Sequence, residues 1–483
     1  MFGNYLIGLP VLIVYKNSYI QTDLSQHQGF TILRLFMVYK GKYSSFGNAL
    51  HPIKAIRLFF GMKRCLFCSG LVIFILFHHH AISQNFAQGF ELIPSKKKST
   101  VIPFKFVHNL ILVPVRINDS DTLQFILDTG VTTALVTSLP NNEVLSLKYT
   151  KEVELSGLGG DADFIKALFS TGNTFQVQNA KGHNQDVLLL MSDIFHLSQS
   201  MGVHVHGLLG FELFNNFVVE INYLKRHIVL HDQQEFNKKK KPKKLGYRIP
   251  ISIERKKPYV MAEVLQEDGE VIPVKLLIDS GASNALSLYI STNERLQVPE
   301  KTIYSFLGSG LNGDIFGDIG RIKALKLGKF NFEEPVVSYP EEEGIKRALV
   351  MSDRNGSLGA EILKRFTITF NYANNEVYFK PNAWYKEGFR YNTSGIEVST
   401  PFPGLPVYEV AKVREHSPAH LAGIMRGDQI MLVNGMNASR YSLNEMIDIL
   451  QNKSGKKVRL VMQRRGYPFK CEIILEDVFA NMF

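Results

Sequence analysis

Phe125-Ile126-Leu127-Asp128-Thr129-Gly130 is repeated later in the chain by Leu276-Leu277-Ile278-Asp279-Ser280-Gly281, and this pair of stretches decides the fold. In each, an apolar run delivers a lone carboxylate into an Asp-(Thr/Ser)-Gly turn, which places an ionisable group where a buried strand ends. Each turn is followed by a second landmark, Leu208-Leu209-Gly210-Phe211-Glu212 in the first copy and Ser357-Leu358-Gly359-Ala360-Glu361 in the second. The repeat continues through Phe217-Val218-Val219-Glu220-Ile221-Asn222-Tyr223 and Phe366-Thr367-Ile368-Thr369-Phe370-Asn371-Tyr372. A period of roughly 150 residues is domain-sized, so the unit is a duplicated lobe and not a solenoid repeat. Two such lobes packed about a pseudo-two-fold axis would bring Asp128 and Asp279 face to face.

Upstream of each aspartate the text reads as a hairpin. Asn109 to Ile117 is strand-like and turns at Asn118-Asp119-Ser120-Asp121 into the strand carrying Asp128. In the second copy Tyr259 to Val264 turns at Glu267-Asp268-Gly269 into the strand ending at Asp279. Between the landmarks each lobe has a glycine-bearing stretch, Ser156-Gly157-Leu158-Gly159-Gly160-Asp161 and Gly308-Ser309-Gly310-Leu311-Asn312-Gly313-Asp314. Neither carries the Gly-Lys-(Ser/Thr) ending of a phosphate loop.

The two Asp-(Thr/Ser)-Gly turns, each with its later apolar-apolar-Gly element, resemble the aspartic peptidase family, and the compact lobes resemble the retropepsin-like peptidases found as tandem copies in bacterial proteins. The resemblance covers residues 100 to 382. It implies Asp128 and Asp279 as the catalytic pair, Thr129 and Ser280 as hydroxyls tying the turns together, and Gly130 and Gly281 as points of close approach. It also implies that Gly210 and Gly359 pack beside the aspartate loops and that the glycine-bearing stretches serve as flaps over substrate. One departure is Val131, bulkier than Ala282 in the matching position, which is expected to narrow the site.

Beyond Pro381 a different module begins. Gly395-Ile396-Glu397-Val398 and Gly404-Leu405-Pro406-Val407-Tyr408-Glu409-Val410 read as strands, Ser417-Pro418-Ala419 as a capped helix start, and Gly427 to Gly435 as a strand ending in an Asn-Gly turn. Ser442-Leu443-Asn444-Glu445 is a capping box. The order resembles a bacterial PDZ domain over 390–478. The resemblance implies a peptide groove at Gly404, Leu405 and Val407 facing the helix that starts at Ser442. Pro406 lacks an N–H where a terminal carboxylate would be held, which leaves strand addition along Val407 to Val410.

The 483 residues carry a formal charge of +11, but the excess is concentrated. Residues 1–83 hold eight Lys or Arg against Asp23 alone, and Lys238 to Lys241 with Lys243 and Lys244 add six more. The remainder is close to neutral, which argues against a nucleic-acid function. Met62-Lys63-Arg64, the apolar run Leu71 to Phe77 and Ala81-Ile82-Ser83 read as a signal peptide over 62–83, with 1–61 as upstream sequence or an extension. Residues 84–100 read as a flexible lead-in, 101–235 and 248–382 as the lobes, and the lysine run over 236–247 as an extended linker. After cleavage Cys471 is the one remaining cysteine, so no internal disulfide is expected. His204 and His206 share a strand face, but two ligands make no zinc site, and neither metal nor cofactor is expected.

The expected whole is mostly β, a two-lobed retropepsin/pepsin-like acid protease fold followed by a PDZ-like small β barrel with helices. The expected function is aspartic endopeptidase, hydrolysing extended polypeptides with water activated between Asp128 and Asp279. The expected partners are a polypeptide substrate and a peptide or protein ligand of the PDZ domain. The mature chain is expected to be a monomer without a membrane span, exported to the periplasm or outside a bacterium. For either aspartate alone the plain alternative is a buried Asp capping its own turn. For the whole chain the alternative is an inactive peptide-binding or envelope scaffold protein using the same cleft and PDZ domain.

Overall fold

The computed structural model describes residues 12–14, 88–139, 145–159, 164–239 and 242–480. The leader expected over 62–83 lies outside them, as does the stretch before it apart from Leu12–Val14. Strands dominate the described residues, in separate sheets for the protease-like part and the C-terminal module.

In the first half Leu110–Ile117 and Leu123–Leu127 form the expected hairpin, with Leu112 opposite Ile126 and Val113 opposite Phe125. Gly207–Leu209 lies parallel to the aspartate strand, pairing Phe125 with Gly207 and Leu127 with Leu209, and Ala134–Val136 follows on its far side. Strands buried on both faces read as near-continuous apolar runs, which is why both aspartate stretches lack polar alternation. The second half repeats the order, with Leu286–Leu288, Gly356–Leu358, Val271–Ile278 and Lys257–Leu265 in sequence across its sheet. Gly356–Leu358 again runs parallel to the strand that ends at the aspartate.

A six-stranded sheet joins the halves. Its middle strands, Phe217–Asn222 and Phe366–Asn371, are the two repeated segments themselves, paired antiparallel. Glu220 stands opposite Thr369, its own counterpart in the repeat, while Val219 pairs with Phe370 and Ile221 with Ile368. A register centred on a residue and its equivalent puts the pseudo-two-fold axis through that pair. Phe214, Phe370 and Tyr372 pack their rings at this junction, with centroids 5.2 and 5.4 Å from Phe214.

Two expected spans are corrected. The lead-in over 84–100 contains the strand Gly89–Leu92, paired antiparallel with Ala180 to His183, and Ser99 opens the edge strand of the joining sheet. The extended linker expected over 236–247 is instead helical where Gln233–Lys239 and Pro242–Leu245 reach into it. Local acids offset the lysine repulsion: Asp232 accepts from the Glu235 N–H at 2.9 Å, and Glu235 pairs with Lys238 and Lys98.

The C-terminal sheet runs Ile396–Ser399, Tyr408–Val413, Gln429–Val433, Lys457–Arg464, Tyr467–Ile474. Ile396, Val410, Ile430, Met446 and Leu460 lie in its own core. The helix Leu443–Leu450 begins with the capping box, Ser442 and Glu445 each accepting from the other's backbone N–H. This module docks on both halves. Asn444 Oδ1 accepts from the His108 N–H at 3.1 Å and its Nδ2 donates to Phe106 O at 2.7 Å. On the other side Arg321 donates to Asp477 at 3.2 Å beneath the Phe479 ring, and the Lys412 ammonium stands 4.1 Å above Phe306.

Candidate active site

Both aspartates sit at the ends of their strands in matching bonds: the Asp128 N–H donates to Leu209 O and the Asp279 N–H to Leu358 O, each at 2.9 Å. Each carboxyl is turned back on its own glycine, with Gly130 N–H donating to Asp128 Oδ1 at 2.6 Å and Gly281 N–H to Asp279 Oδ1 at 3.0 Å. The next residues cross between the halves. Thr129 Oγ1 donates to Ile278 O at 2.6 Å and accepts from the Ser280 N–H at 3.0 Å. Ser280 Oγ donates to Leu127 O at 2.8 Å and accepts from the Thr129 N–H at 3.1 Å. These four reciprocal bonds, all buried, leave neither turn free to move without the other.

The geometry brings the carboxyls together. A Cβ on Gly281 would stand 2.3 Å from the Asp128 carboxyl carbon, so the first carboxyl lies directly against the second turn. Both aspartates are 0% exposed. Burial first, and then the Asp279 carboxyl, push Asp128 well above the usual carboxylate range. Gly210 and Gly359 lie close to backbone, where a Cβ would come within 1.9 Å of Asp128 O and 2.2 Å of Asn284 O. The Val131 side chain packs with Ile126, Leu135 and Leu208.

Gly157 and Leu158 of the first glycine-bearing stretch meet Asn312 of the second. The Gly157 N–H donates to Asn312 Oδ1 at 2.5 Å, and the Asn312 N–H donates to Leu158 O at 2.8 Å. Leu311 from the second half is buried in an apolar cluster otherwise drawn from the first, including Leu110 and Val131. Close backbone contact explains the glycines, since a Cβ on Gly310 would lie 2.1 Å from Leu158 O.

Glu212 and Glu361, quoted above as parts of the repeat, brace the same loops. Glu212 Oε1 accepts from the Ala134 N–H at 2.8 Å, and Glu361 accepts from Asn109, Lys364 and Arg365. Asn109 also donates to Ser283 O, so the residue that precedes the strand Leu110–Ile117 holds the loop that follows Asp279. His204 and His206 stack with centroids 6.2 Å apart, and His206 Nδ1 accepts from the Gln124 N–H at 2.8 Å. Burial and the neighbouring His204 lower His206 to about 4, so it serves this strand as a neutral acceptor.

In the C-terminal module the residues expected to form a peptide groove bond elsewhere in the chain. The N–H groups of Gly404, Leu405 and Val407 donate to Gly202 O, Phe402 O and Leu405 O, so each is already engaged. In the strand expected to take an added peptide, Glu409 and Val410 already pair with Ser399 and Val398 on one side, and Tyr408 and Glu409 pair with Ile430 and Gln429 on the other. The edge strand is Ile396–Ser399, and Ser442 is engaged in its capping box.

Residues 113–213 and 260–362 match the family described as aspartyl protease, and 409–464 match the PDZ domain family. The first match supports aspartic-type endopeptidase activity. No curated protein matches the chain. Among solved structures, a photosystem II D1 C-terminal processing protease is 23% identical over 18% of this chain, with a TM-score of 0.17. The aligned part spans 23% of that protein. Among the described residues no helix is long and apolar enough to cross a membrane. The chain thus carries an aspartyl-protease family domain in two segments and, after it, a PDZ domain.

Proposed function

We propose that the chain is an aspartic endopeptidase of two retropepsin-like lobes, with Asp128 and Asp279 as one catalytic centre and a PDZ-like barrel appended. The observation that carries this is the reciprocal Thr129–Ser280 grip, which holds the two turns so that the Asp128 carboxyl lies against Gly281. Two buried carboxyls in such proximity cannot both ionise cheaply, so the pair shares one proton. The ionised member takes a proton from a water between them as the water oxygen attacks the scissile carbonyl carbon. The protonated member gives its proton to the carbonyl oxygen. Collapse of the tetrahedral intermediate breaks the C–N bond as the amine nitrogen takes up a proton, and no covalent enzyme intermediate forms.

Substrate enters when the contacts of Gly157 and Leu158 with Asn312 open. Tip opening of this kind belongs to the slow motions that gate many enzymes. The substrate is an extended polypeptide, and the PDZ module recognises it or a partner. The chain acts as an exported monomer whose leader is removed near Gln84.

The test is incubation of the purified protein with an unfolded protein substrate from acidic to neutral pH. Cleavage is expected to favour acid, with specific activity unchanged on dilution. A reversible inhibitor carrying a hydroxyl at the scissile position should compete, and reagents that acylate serine or cysteine should not. Absence of cleavage over the whole range would reject the proposal. Terminal sequencing of exported material should start near Gln84, and an intact Met1 would reject the export proposal.

A further inference from the structure

The two halves are not equivalent at one position beside the aspartates. Tyr259 stands opposite Leu277 in the hairpin of the second half, and two residues farther along that register Lys257 comes level with Asp279. In the first half Leu112 stands opposite Ile126, which brings Leu110 level with Asp128. Residues directly opposite in an antiparallel pair share a face. The pseudo-two-fold therefore pairs a leucine on one side of the centre with a lysine on the other. Lys257 is 6% exposed, and its backbone is fixed by pairing with Glu254 across the Arg255-Lys256 turn. A buried ammonium is rare unless opposite charge lies close.

We propose that Lys257 is a positioning residue of the aspartate centre, an internal cation that holds the pair in its singly ionised form. The assignment rests on the peptidase proposal. Asp128 and Asp279 both favour the charged form of Lys257, and Arg354 opposes it. The other groups around the cluster are Glu254 across the turn, the Tyr289 hydroxyl, which accepts from Arg354 at 3.0 Å, and the Tyr372 hydroxyl beside Asp128. Burial, and then Arg354, lower Lys257 to about 7, which still leaves it charged through the acidic range. Burial and mutual repulsion on their own would keep both carboxyls protonated, a form with no base to activate water. A nearby cation favours loss of the first proton and restores that base. The pairing registers of the two hairpins put Lys257 where the first half has Leu110.

The test is the pH profile of kcat/KM for wild type, Lys257→Met and Lys257→Arg. Leu110 shows that an apolar side chain fits the equivalent place, so the methionine variant should fold. Without the cation the pair binds its protons more tightly, and both limbs of the profile should move up by about one pH unit or more. The arginine variant should keep the limbs near their wild-type positions. A rate loss with unmoved limbs would show a merely structural role, and limbs that move down or an unchanged profile would also overturn the proposal. Thermal stability of wild type and Lys257→Met between pH 3 and 8 supplies a readout that needs no turnover. Loss of the cation should alter its pH dependence even if no substrate is cut, so failure of the peptidase proposal and failure of this one are distinguishable.

Discussion

Asp128→Asn and Asp279→Asn are each expected to lower kcat by about 10³-fold or more while leaving the fold intact, and the double variant is expected to lose little beyond either single one. Asparagine keeps the volume and the hydrogen bond from Gly130 or Gly281, so no cavity opens. It lacks the oxygen that exchanges a proton with the opposite carboxyl. Stability should move the other way. Asp128 holds its proton in the folded protein to a pH well above its ordinary 3.8. Its favourable contribution is therefore complete below that unfolded value and is lost as pH rises through the folded one. The substituted amide carries no such proton, so Asp128→Asn should melt at a higher temperature than wild type near pH 7 and with a flatter pH dependence. Calorimetry at pH 4 and 7, beside the rate measurement, checks both parts. A folded variant with near-normal turnover would end the paired-aspartate mechanism.

Gly210→Ala should be the most damaging single methyl addition near the site. The new Cβ would stand 1.9 Å from Asp128 O and 2.9 Å from Val131 O, and both are backbone atoms that cannot swing aside. The Asp128 turn must then shift, and the grip between Thr129 and Ser280 shifts with it. Overpacking against fixed backbone costs about 3 kcal/mol or more. Gly388→Ala is the control, since a Cβ there meets nothing within 4 Å, and it should be nearly neutral. Denaturant unfolding of both variants, with peptidase assays on the folded fraction, gives the comparison. A Gly210→Ala protein as stable and active as wild type would show that the loop behind Asp128 is not packed as described.

The elements legible in the sequence were those that local pattern controls. Apolar runs ending in Asp-(Thr/Ser)-Gly announced both aspartate strands, and Ser442 with Glu445 announced the helix they cap. The repeat also marked Phe217 to Tyr223 and Phe366 to Tyr372, but not that these strands pair with each other across the axis. Such pairing joins residues far apart in the chain and leaves no period to read. The lysine run reads as extended on like-charge repulsion alone, whereas Asp232 and Glu235, which precede it, support a helix. Docking of Asn444 on Phe106 and His108 has no local signal, since the asparagine there bonds only backbone groups, which every residue carries. Lys257 has no local signal, because its place opposite Asp279 follows from strand register, which the sequence does not show.

The central claim is that one chain supplies both carboxyls of one centre, and mixing the two asparagine variants tests it most directly. Asp128→Asn and Asp279→Asn each retain one aspartate, and the grip between Thr129 and Ser280 joins halves of the same chain. Combined in any ratio and at rising concentration, they should show no more peptidase activity than the sum of the separate proteins. Activity recovered on mixing, and growing with concentration, would mean that the aspartates meet between chains and would contradict the account.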